Sequence, residues 1–560
     1  MSEMNRPKVV IDKIKFNDGQ EISFSPFDIV VFVGPNNAGK SQVLRDIDVA
    51  FNDGETTKIV AESINLSPVG DGAYFTDHLV EKNGLFFFGN ISFNRKVYYT
   101  SYWDSRYYQF FKSYLLKFLS TEERLKASNP VESYDVVNQM PQNPIQELYA
   151  DDAKELELSK LFRKAFNQDI IVNRGGGTRI AIHIGEKPPR DAGEDRVSKS
   201  FLDKLQRVPQ AQKQGDGVRS FLGILLNVFV TPHPLILIDE PEAFLHPPQA
   251  RLLGKILASK IHDSQMFISS HSGDFIKGLL DSGNTNVKII HIDRDLSSNI
   301  NHMKLLDNEG ISQIWRDPLL KYSNILDGLF HSKVVICESD SDCRFYQALL
   351  NACYGDDGVS DILFVHCGGK QRLKIVVDAL RALDVQTMAI ADIDVLNDEN
   401  VFKSIVESFG GAWNSIEREW KNVNNCAKLL GGGKNINDVK EKINKLLDSI
   451  SEITLSRGVS EKIQEIVKYS SGWSSVKNIG KRAFTGGAYN DYNSIEKVCK
   501  SHGLLIVPVG ELEHFYKPFE KLHGPSWTNK VLENVDLLND IELREAREFV
   551  HSILEFRGNK

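Results

Sequence analysis

The stretch Ile29–Ser41, IVVFVGPNNAGKS, decides the fold of the N-terminal half of this chain. An apolar strand runs directly into the pattern G-x-x-x-x-G-K-[ST], and helical sequence follows from Gln42. In that context the glycines let backbone N–H groups wrap phosphates, the lysine reaches the terminal phosphates and the serine coordinates Mg²⁺. The stretch therefore predicts an α/β domain that binds ATP. The candidate nucleotide-binding residues are Gly34, Asn36, Asn37, Gly39, Lys40 and Ser41.

Two further strand ends in this half carry polar residues. The apolar run Leu235–Ile238 ends in Asp239 and Glu240, so we expect Asp239 beside the Mg²⁺ and Glu240 polarising the attacking water. The segment Phe267–Ser272 predicts another strand after an intervening helix, with His271 at its polar tip. This order resembles that of ABC-type ATPase heads, in which the last histidine contacts the γ-phosphate. A purely structural loop histidine is the alternative.

The match to ABC-type heads is incomplete in two places. The segment Gln214–Ser220 stands where such heads carry the signature loop, which caps the nucleotide of the opposite subunit, but it lacks Ser-Gly-Gly. No glutamine occurs from Val43 to Tyr108, so the usual Q-loop residue is unidentified. We therefore expect ATP binding from the motif itself, whereas hydrolysis within a dimer is inferred from the resemblance.

Length, composition and charge exclude several classes of protein. The 560 residues suffice for several domains, and 67 basic against 75 acidic residues give a net charge of −8 with 41% hydrophobic content. No apolar run approaches the ~20 residues of a membrane helix, and residues 1–15 alternate apolar and charged side chains, so we expect a cytoplasmic protein without a membrane span. The six cysteines include no CxxC pair, which predicts reduced thiols rather than zinc ligands or disulfides.

The pattern along the chain predicts two α/β domains. Residues 1–330 form the ATPase domain, with a helical insertion at about 101–167. A βαβαβ pattern opens residues 331–520 and predicts a second parallel sheet, with a lysine-rich helical insertion at about 401–481. Residues 521–560 are expected to form a C-terminal helical segment outside that domain.

Acidic residues follow three strands of the second domain. Glu338 ends the first strand, Asp392 and Asp394 end a later one, and Glu513 follows the last. Residues i and i+2 of an extended chain face the same side, so Asp392 and Asp394 can converge on one cation that Glu338 also reaches. Carboxylates without Cys or His ligands favour Mg²⁺ or Mn²⁺ over zinc. We predict these four acids as metal ligands and catalytic residues, with Asp342 as a further ligand or a supporting acid; for any one motif alone, a solvated surface acid is the alternative.

The order E-x-x-x-D, D-x-D and a late acid resembles a TOPRIM domain, although Ser339 replaces the glycine usual after the first glutamate. An ATPase head followed by a TOPRIM domain resembles the OLD (overcoming lysogenization defect) family of nucleases, and Gabija-type and retron-associated effectors share this layout. The resemblance implies a Mg²⁺- or Mn²⁺-dependent DNA endonuclease coupled to an ATPase and often deployed against phage. It also implies a lysine near the metals, for which Lys477 and Lys481 are both candidates.

Partners follow from the same resemblance. It implies a homo-oligomer, a dimer or a tetramer, held through helices of the ATPase domain such as those of the insertion, and a helicase or a retron reverse transcriptase with its non-coding DNA as a further partner. A basic loop, Gly368–Lys370 with His366, Arg372 and Lys374, could hold a DNA backbone despite the net negative charge.

Two other hypotheses belong to different functional classes. The first is an ATP-dependent sensor or scaffold subunit of a defence complex, whose TOPRIM domain does not cut; Ser339 and the choice between two lysines keep it open. The second, a transporter ATPase subunit, would leave the acids of the C-terminal half unexplained.

Overall fold

The protein is described from a computed structural model. The structure describes residues 7–52, 58–82, 84–88, 91–260, 263–295, 297–306, 324–355, 361–430, 436–450, 454–467, 472–556 and 558. The chain divides into two units between Phe330 and His331. Across the described ranges, no helix combines the length and apolar character that crossing a bilayer requires.

The first unit is built from short strands and helices in alternation. Its strands are β1 (Lys8–Phe16), β2 (Glu21–Ser23), β3 (Ile29–Val33), β4 (Ala61–Val69), β5 (Val80–Lys82), β6 (Leu85–Phe88), β7 (Ile91–Phe93), β8 (Leu116–Leu119), β9 (Val131–Glu132), β10 (Asp169–Val172), β11 (Arg179–Ile180), β12 (Ile182–Gly185), β13 (Leu235–Asp239), β14 (Gln265–Ser269), β15 (Val287–Asp295) and β16 (Ile300–Leu305). Its α-helices are α1 (Lys40–Ala50), α2 (Gly72–Asp77), α3 (Lys96–Asp104), α4 (Lys112–Leu115), α5 (Thr121–Lys126), α6 (Pro144–Ala150), α7 (Asp152–Phe166), α8 (Lys199–Leu205), α9 (Asp216–Leu225), α10 (Pro247–Lys260) and α11 (Gly273–Asp281).

A six-stranded sheet, ordered β16-β15-β3-β14-β13-β8, forms the centre of the first unit. Every neighbouring pair is parallel except β15 and β16. Strands β3, β13 and β14 are buried along almost their whole length, which explains their continuous apolar sequences. Their carboxyl ends meet at one edge, which places the loop after Val33, Asp239 and Ser269 close together.

The stretch 101–167, expected to be a helical insertion, contributes a strand to this sheet. Strand β8 pairs in parallel with β13 and sets Leu119 beside Ile238. Its sequence, LKFL, is four residues long with two half-buried positions, so it lacks the apolar run that marks the central strands. The expectation of a wholly helical stretch is therefore wrong here: α4 precedes an edge strand of the central sheet, and α5 to α7 follow it.

The second unit is a parallel sheet with a long helical excursion. Its strands are β17 (Lys333–Cys337), β18 (Ile362–His366), β19 (Thr387–Ala391) and β20 (Leu504–Ile506). Its α-helices are α12 (Asp340–Tyr354), α13 (Lys370–Ala382), α14 (Glu399–Ser408), α15 (Glu417–Leu430), α16 (Ile436–Asp448), α17 (Arg457–Val467), α18 (Gly472–Ile479), α19 (Gly487–His502), α20 (Pro525–Asn534) and α21 (Arg544–Glu555). The sheet order is β18-β17-β19-β20, and all its pairs are parallel. Helices α14 to α19 separate β19 from β20 in the sequence.

Residues 521–556 contribute to the core of the second unit, although the sequence predicts the C-terminal segment 521–560 outside it. Trp527 and Val550 are fully buried in the same apolar cluster as residues of β17 and α12. The ammonium of Lys333 on β17 donates hydrogen bonds to the carbonyls of Ile553 (2.6 Å) and Phe556 (2.7 Å) at the end of α21. A lysine thus satisfies carbonyls that the helix end leaves free.

Replacing Trp527 tests this placement. Trp527→Ala should lower the stability of the second unit by about 3–5 kcal/mol, because removing a fully buried indole leaves a cavity. The exposed Leu522 of the same segment provides the control, and Leu522→Ala should change stability by less than about 0.5 kcal/mol. Urea unfolding followed by hydrogen exchange of β17 measures both effects. Equal protection of β17 in the two variants would contradict the placement.

Two candidate active sites

The loop after β3 adopts a conformation that its glycines make possible. Gly34 and Gly39 have φ angles of 147° and 103°, in the region that favours glycine. A side chain on Gly34 would place its Cβ 2.1 Å from the carbonyl oxygen of Ile292 on β15. The loop therefore lies against its neighbouring strand. Ser41 is the second residue of helix α1.

Lys40 is folded back onto this loop. Its side chain is buried, and its ammonium donates hydrogen bonds to the carbonyls of Gly34 (2.8 Å) and Pro35 (2.7 Å). Burial lowers the pKa of Lys40 to about 8, and the carboxylates of Glu240, Glu242 and Asp239 oppose that decrease. The two carbonyls occupy the hydrogen-bonding positions of the ammonium that phosphate oxygens would take when a nucleotide binds.

The predicted acids and histidine gather at the ends of β13 and β14. The carboxylate of Asp239 accepts a hydrogen bond from the Ser269 hydroxyl at 2.5 Å. Glu240 has a φ of 50°, and one of its carboxylate oxygens lies 3.6 Å from Nε2 of His271. Burial and the neighbouring charge of Lys40 lower the pKa of His271 to about 4, so the ring is neutral near pH 7. The geometry brings Lys40, Asp239, Glu240 and His271 into one group.

Glu242 is a member of this group that the sequence did not single out. Its carboxylate accepts hydrogen bonds from the backbone N–H of His271 (2.6 Å) and from the Ser270 hydroxyl (3.0 Å). Burial raises the pKa of Glu242 to about 7. Glu242 lies in the segment Pro241–Pro247, next to two predicted acids, but no sequence pattern distinguishes this third acid from an ordinary surface residue. Glu242 holds the loop that carries His271.

A second group of acids lies at the carboxyl ends of β17 and β19. Oxygens of Glu338, Asp392 and Asp394 all lie within 4.8 Å of one another. The extended geometry expected for the two aspartates is absent, because the chain enters a 3₁₀ helix, Ile393–Asn397, directly after Asp392. Glu338 also accepts a hydrogen bond from the Asp392 N–H at 3.0 Å. The turn of the chain, rather than strand alternation, makes the carboxylates converge.

These carboxylates repel one another in a buried setting. Burial raises the pKa of Glu338 to about 6; the Asp392 N–H opposes the shift, and the charge of Asp394 adds to it. Burial also raises the pKa of Asp392 well above its usual value, and the charge of Glu338 adds to this shift. A bound divalent cation would relieve the repulsion, and oxygen-only ligands suit Mg²⁺ or Mn²⁺. The arrangement is therefore suited to hold such an ion.

Of the two candidate lysines, the structure brings Lys477 to the acids. Its ammonium lies 3.4 Å from Asp392, 3.9 Å from Asp394 and 3.1 Å from Glu511. Burial opposes protonation of Lys477, but these carboxylates outweigh it and raise the pKa. Lys481 does not share this environment.

Lys481 lies beyond a reversal of the chain at Gly480, which has a φ of 74°. Its ammonium pairs with Glu496 at 3.4 Å, and its backbone N–H donates to the carbonyl of Pro508. The structure therefore brings Lys477 and not Lys481 to the three acids, because the turn between the two lysines directs them to different partners.

Glu513 and Asp342 have hydrogen-bond partners outside the three central acids, although the charge of Asp342 adds to the upward shift of the pKa of Glu338 and of Asp392. Glu513 belongs to a neighbouring group with Glu511 and His523, whose candidate ligand atoms lie within 4.8 Å of one another, and it accepts a hydrogen bond from the Gly524 N–H at 2.7 Å. Asp342 accepts from the Ser339 N–H at 2.8 Å and caps α12. Of the four predicted acids, the structure brings Glu338, Asp392 and Asp394 into one group and places Glu513 in the neighbouring group, which Lys477 reaches through its ion pair with Glu511.

Ser339 and two lysines of the basic loop form hydrogen bonds or ion pairs within the second unit. Ser339 accepts the Asp342 N–H and completes a capping box, so the departure from glycine stabilises the start of α12. Lys370 pairs with Asp394 at 3.0 Å and Lys374 pairs with Asp378 at 2.8 Å. His366, Arg372 and Lys374 are exposed, whereas Lys370 is partly buried.

Comparisons with known families agree with the two units. Residues 29–276 match the family described as "AAA domain, putative AbiEii toxin, Type IV TA system". Residues 329–394 match the family described as "Overcoming lysogenization defect protein-like, TOPRIM domain". The first match contains the loop with Lys40, Glu240 and His271, and the second contains Glu338 and Asp394.

Two curated proteins share shorter stretches. An OLD nuclease of Thermus scotoductus is 25% identical over 167 residues, which cover 29% of this chain and 31% of that protein. An uncharacterized protein of Methanocaldococcus jannaschii is 28% identical over 99 residues, which cover 17% of this chain and 87% of that protein. The chain thus spans less than a third of the length of the OLD nuclease.

Solved Smc head domains are similar to about half of this chain. The head of Pyrococcus furiosus Smc, bound to the C-terminal domain of ScpA, is 12% identical with a TM-score of 0.33 and covers 55% of this chain and 98% of its own. The SMC head of Thermotoga maritima is 14% identical with a TM-score of 0.29 and covers 54% and 99%.

The setting of Lys40 predicts a pH dependence of nucleotide binding. With a pKa of about 8, Lys40 is charged below that pH and loses its proton above it, so binding of an anionic nucleotide must then take up a proton. Affinity for an ATP analogue should fall by up to about tenfold per pH unit above about pH 8. Titration calorimetry at a series of pH values measures this fall.

Arginine provides the control, because it stays protonated throughout this range. Lys40→Arg should bind with an affinity that does not change between pH 7 and pH 9.5 (about the span in which Lys40 titrates), and Lys40→Ala should bind no analogue. A wild-type affinity as flat as that of the arginine variant would contradict the assignment.

Proposed function

Because the chain matches an OLD-family fusion of an ATPase domain with a TOPRIM domain, we propose that it is an ATP-regulated, metal-dependent DNA endonuclease. The observation that carries the proposal is the convergence of Glu338, Asp392 and Asp394, with Lys477 lying against two of them. Three converging carboxylates can hold the divalent cation that metal-assisted phosphodiester cleavage uses, and the ammonium adds a positive charge beside them.

The residues divide the chemical work between them. Glu338, Asp392 and Asp394 would hold Mg²⁺ or Mn²⁺, which polarises a phosphodiester and makes bound water acidic when present. Lys477 carries a fixed positive charge beside these acids and orients an anionic phosphate oxygen. Glu511 holds that ammonium in place. His366, at the end of β18, and Arg372, in the first turn of α13, are exposed and would contact the DNA backbone.

ATP chemistry is assigned to the first unit. Lys40 would exchange the carbonyls of Gly34 and Pro35 for the phosphates, while Ser41 and Asp239 supply oxygens to Mg²⁺. Glu240 orients the attacking water, and neutral His271 donates a hydrogen bond to the γ-phosphate. We place the protein in bacterial defence against phage, as a homo-oligomer through its ATPase domains, with a helicase or a retron reverse transcriptase and its DNA as partner.

Removal of the metal ligands tests the nuclease. Asp392→Asn combined with Asp394→Asn should abolish nicking of supercoiled plasmid and leave binding of an ATP analogue intact, because the two sites lie in separate units. In the wild-type protein Mn²⁺ should support at least as much nicking as Mg²⁺, and Ca²⁺ little, since Ca²⁺ takes longer bonds and more ligands. Agarose gels of timed samples measure the rates.

Asp378→Asn is the matched control, because Asp378 lies half-exposed on α13 and pairs only with Lys374 among the described side chains. It should nick at the wild-type rate. Plasmid cleavage that survives in the double variant would contradict the assignment of the acids. A wild-type protein that binds ATP and DNA yet cuts neither plasmid nor linear DNA would instead favour a sensor or scaffold.

Regulation by nucleotide gives a separate prediction. The ATPase and the nuclease occupy one chain, so a nucleotide that distinguishes two states of the first unit can shift the second. We expect the initial cleavage rate to change several-fold, roughly 1 kcal/mol of coupling, when a non-hydrolysable ATP analogue is added, with repression as the expected direction. The measurement holds free Mg²⁺ constant because ATP chelates it. If the cleavage rate does not change when the analogue is added, in the wild-type protein as in Lys40→Ala, the two activities are uncoupled.

A further inference from the structure

Arg124 is a fully buried arginine whose hydrogen-bonding capacity is filled. It lies on α5, immediately after the edge strand β8, and has no solvent exposure. Its guanidinium has five N–H donors, and the structure gives it five acceptors. These acceptors are the hydroxyls of Ser220 and Thr121 and the carbonyls of Leu119, Asp239 and Glu240. An arginine buried in this way is kept only where each donor is satisfied.

Two of these acceptors fix the backbone around Glu240. One terminal nitrogen of Arg124 donates to the carbonyl of Asp239, and the other donates to the carbonyl of Glu240 at 3.0 Å. The N–H of Glu240 donates to the carbonyl of Ser269 at 3.0 Å. The peptide groups on both sides of Glu240 are therefore held, which keeps this residue at its left-handed φ of 50°. That conformation sets the direction of its carboxylate.

A third acceptor connects Arg124 to α9. Its Nε donates to the hydroxyl of Ser220 at 2.9 Å. Ser220 ends the Gln214–Ser220 segment, whose last five residues form the start of that helix. Helix α9 also approaches α5 closely, because a Cβ on Gly223 would lie 2.2 Å from the carbonyl oxygen of Arg124. A shift of α9 would therefore displace Arg124, and with it the carbonyls at Glu240.

We propose that Arg124 is a positioning residue for ATP hydrolysis, which transmits the position of α9 to the Glu240 carboxylate. The inference rests on the proposed ATPase activity of the first unit. Arg124 contacts neither Lys40 nor the loop around it among the described residues, so it acts on the water-orienting acid and not on nucleotide binding. Its loss should therefore affect turnover and spare affinity.

The test compares hydrolysis and binding in the full chain. Arg124→Lys retains the charge but cannot reach five acceptors, so kcat should fall on the order of 10- to 100-fold, while the Kd for a non-hydrolysable ATP analogue stays within about threefold. Ser220→Ala removes only the acceptor on α9 and is the milder variant. It should lower kcat by roughly three- to tenfold with the same unchanged Kd. Glu240→Gln serves as the reference for loss of the acid.

Ser128→Ala is the matched control. Ser128 is also buried and accepts a hydrogen bond from Arg219 of α9, but it does not contact Arg124. It should retain the wild-type kcat. If Ser128→Ala lowers kcat and Tm as much as Ser220→Ala does, the interface has only a structural role and the inference is wrong.

The outcomes also separate this inference from the assignment on which it rests. Wild-type kcat in both Arg124→Lys and Ser220→Ala would overturn the role of Arg124 alone. A wild-type chain that binds the analogue and does not hydrolyse ATP would overturn the ATPase assignment, and the role of Arg124 with it.

Discussion

Parallel pairing of buried strands is the constraint on which both sites depend. In a parallel sheet the carboxyl ends of neighbouring strands lie at one edge, and the residues that follow them are brought together without any contact along the sequence. Strands β3, β13 and β14 do this for Lys40, Asp239 and His271. Strands β17 and β19 do it for Glu338 and Asp392. The charged groups of each site therefore lie together at the carboxyl edge of its sheet.

The lysines of the two sites have opposite pKa shifts. Lys40 is bonded to neutral carbonyls, and its burial lowers the pKa to about 8. Lys477 lies among carboxylates, which raise its pKa. An incoming anion would therefore stabilise the charge of Lys40 most, whereas the charge of Lys477 is already stabilised by the carboxylates around it. This difference suits a site that exchanges nucleotide and a site that keeps its charges fixed.

Much of this arrangement could be predicted from the sequence, because strand, loop and helix occur in the order that the chemistry needs. The glycine-rich loop, the acids after β13 and the pair Asp392 and Asp394 were identified in this way. Strand β8 was missed because four residues with two half-buried positions carry no periodic signal. The roles of Lys477 and Glu511 were not separable from those of Lys481 and Glu513, since a turn of the backbone decides which member of each pair faces the centre. The role of Arg124 could not be predicted from the sequence, because most of its hydrogen-bond partners are backbone carbonyls, which no residue pattern identifies.

The hydrogen bonds from Lys333 to the end of α21 have a consequence for the order in which the chain folds during synthesis. Lys333 and Ile553 are separated by 220 residues, yet both belong to the packing around β17. During synthesis from the N-terminus, the first unit can complete its core while the ribosome is still adding the second. The acids that follow β17 and β19 emerge before α20 and α21, the helices that pack on their sheet. The first unit can therefore fold before the second unit has its complete core, and the sheet that positions Glu338 and Asp392 is covered only after α20 and α21 have been made.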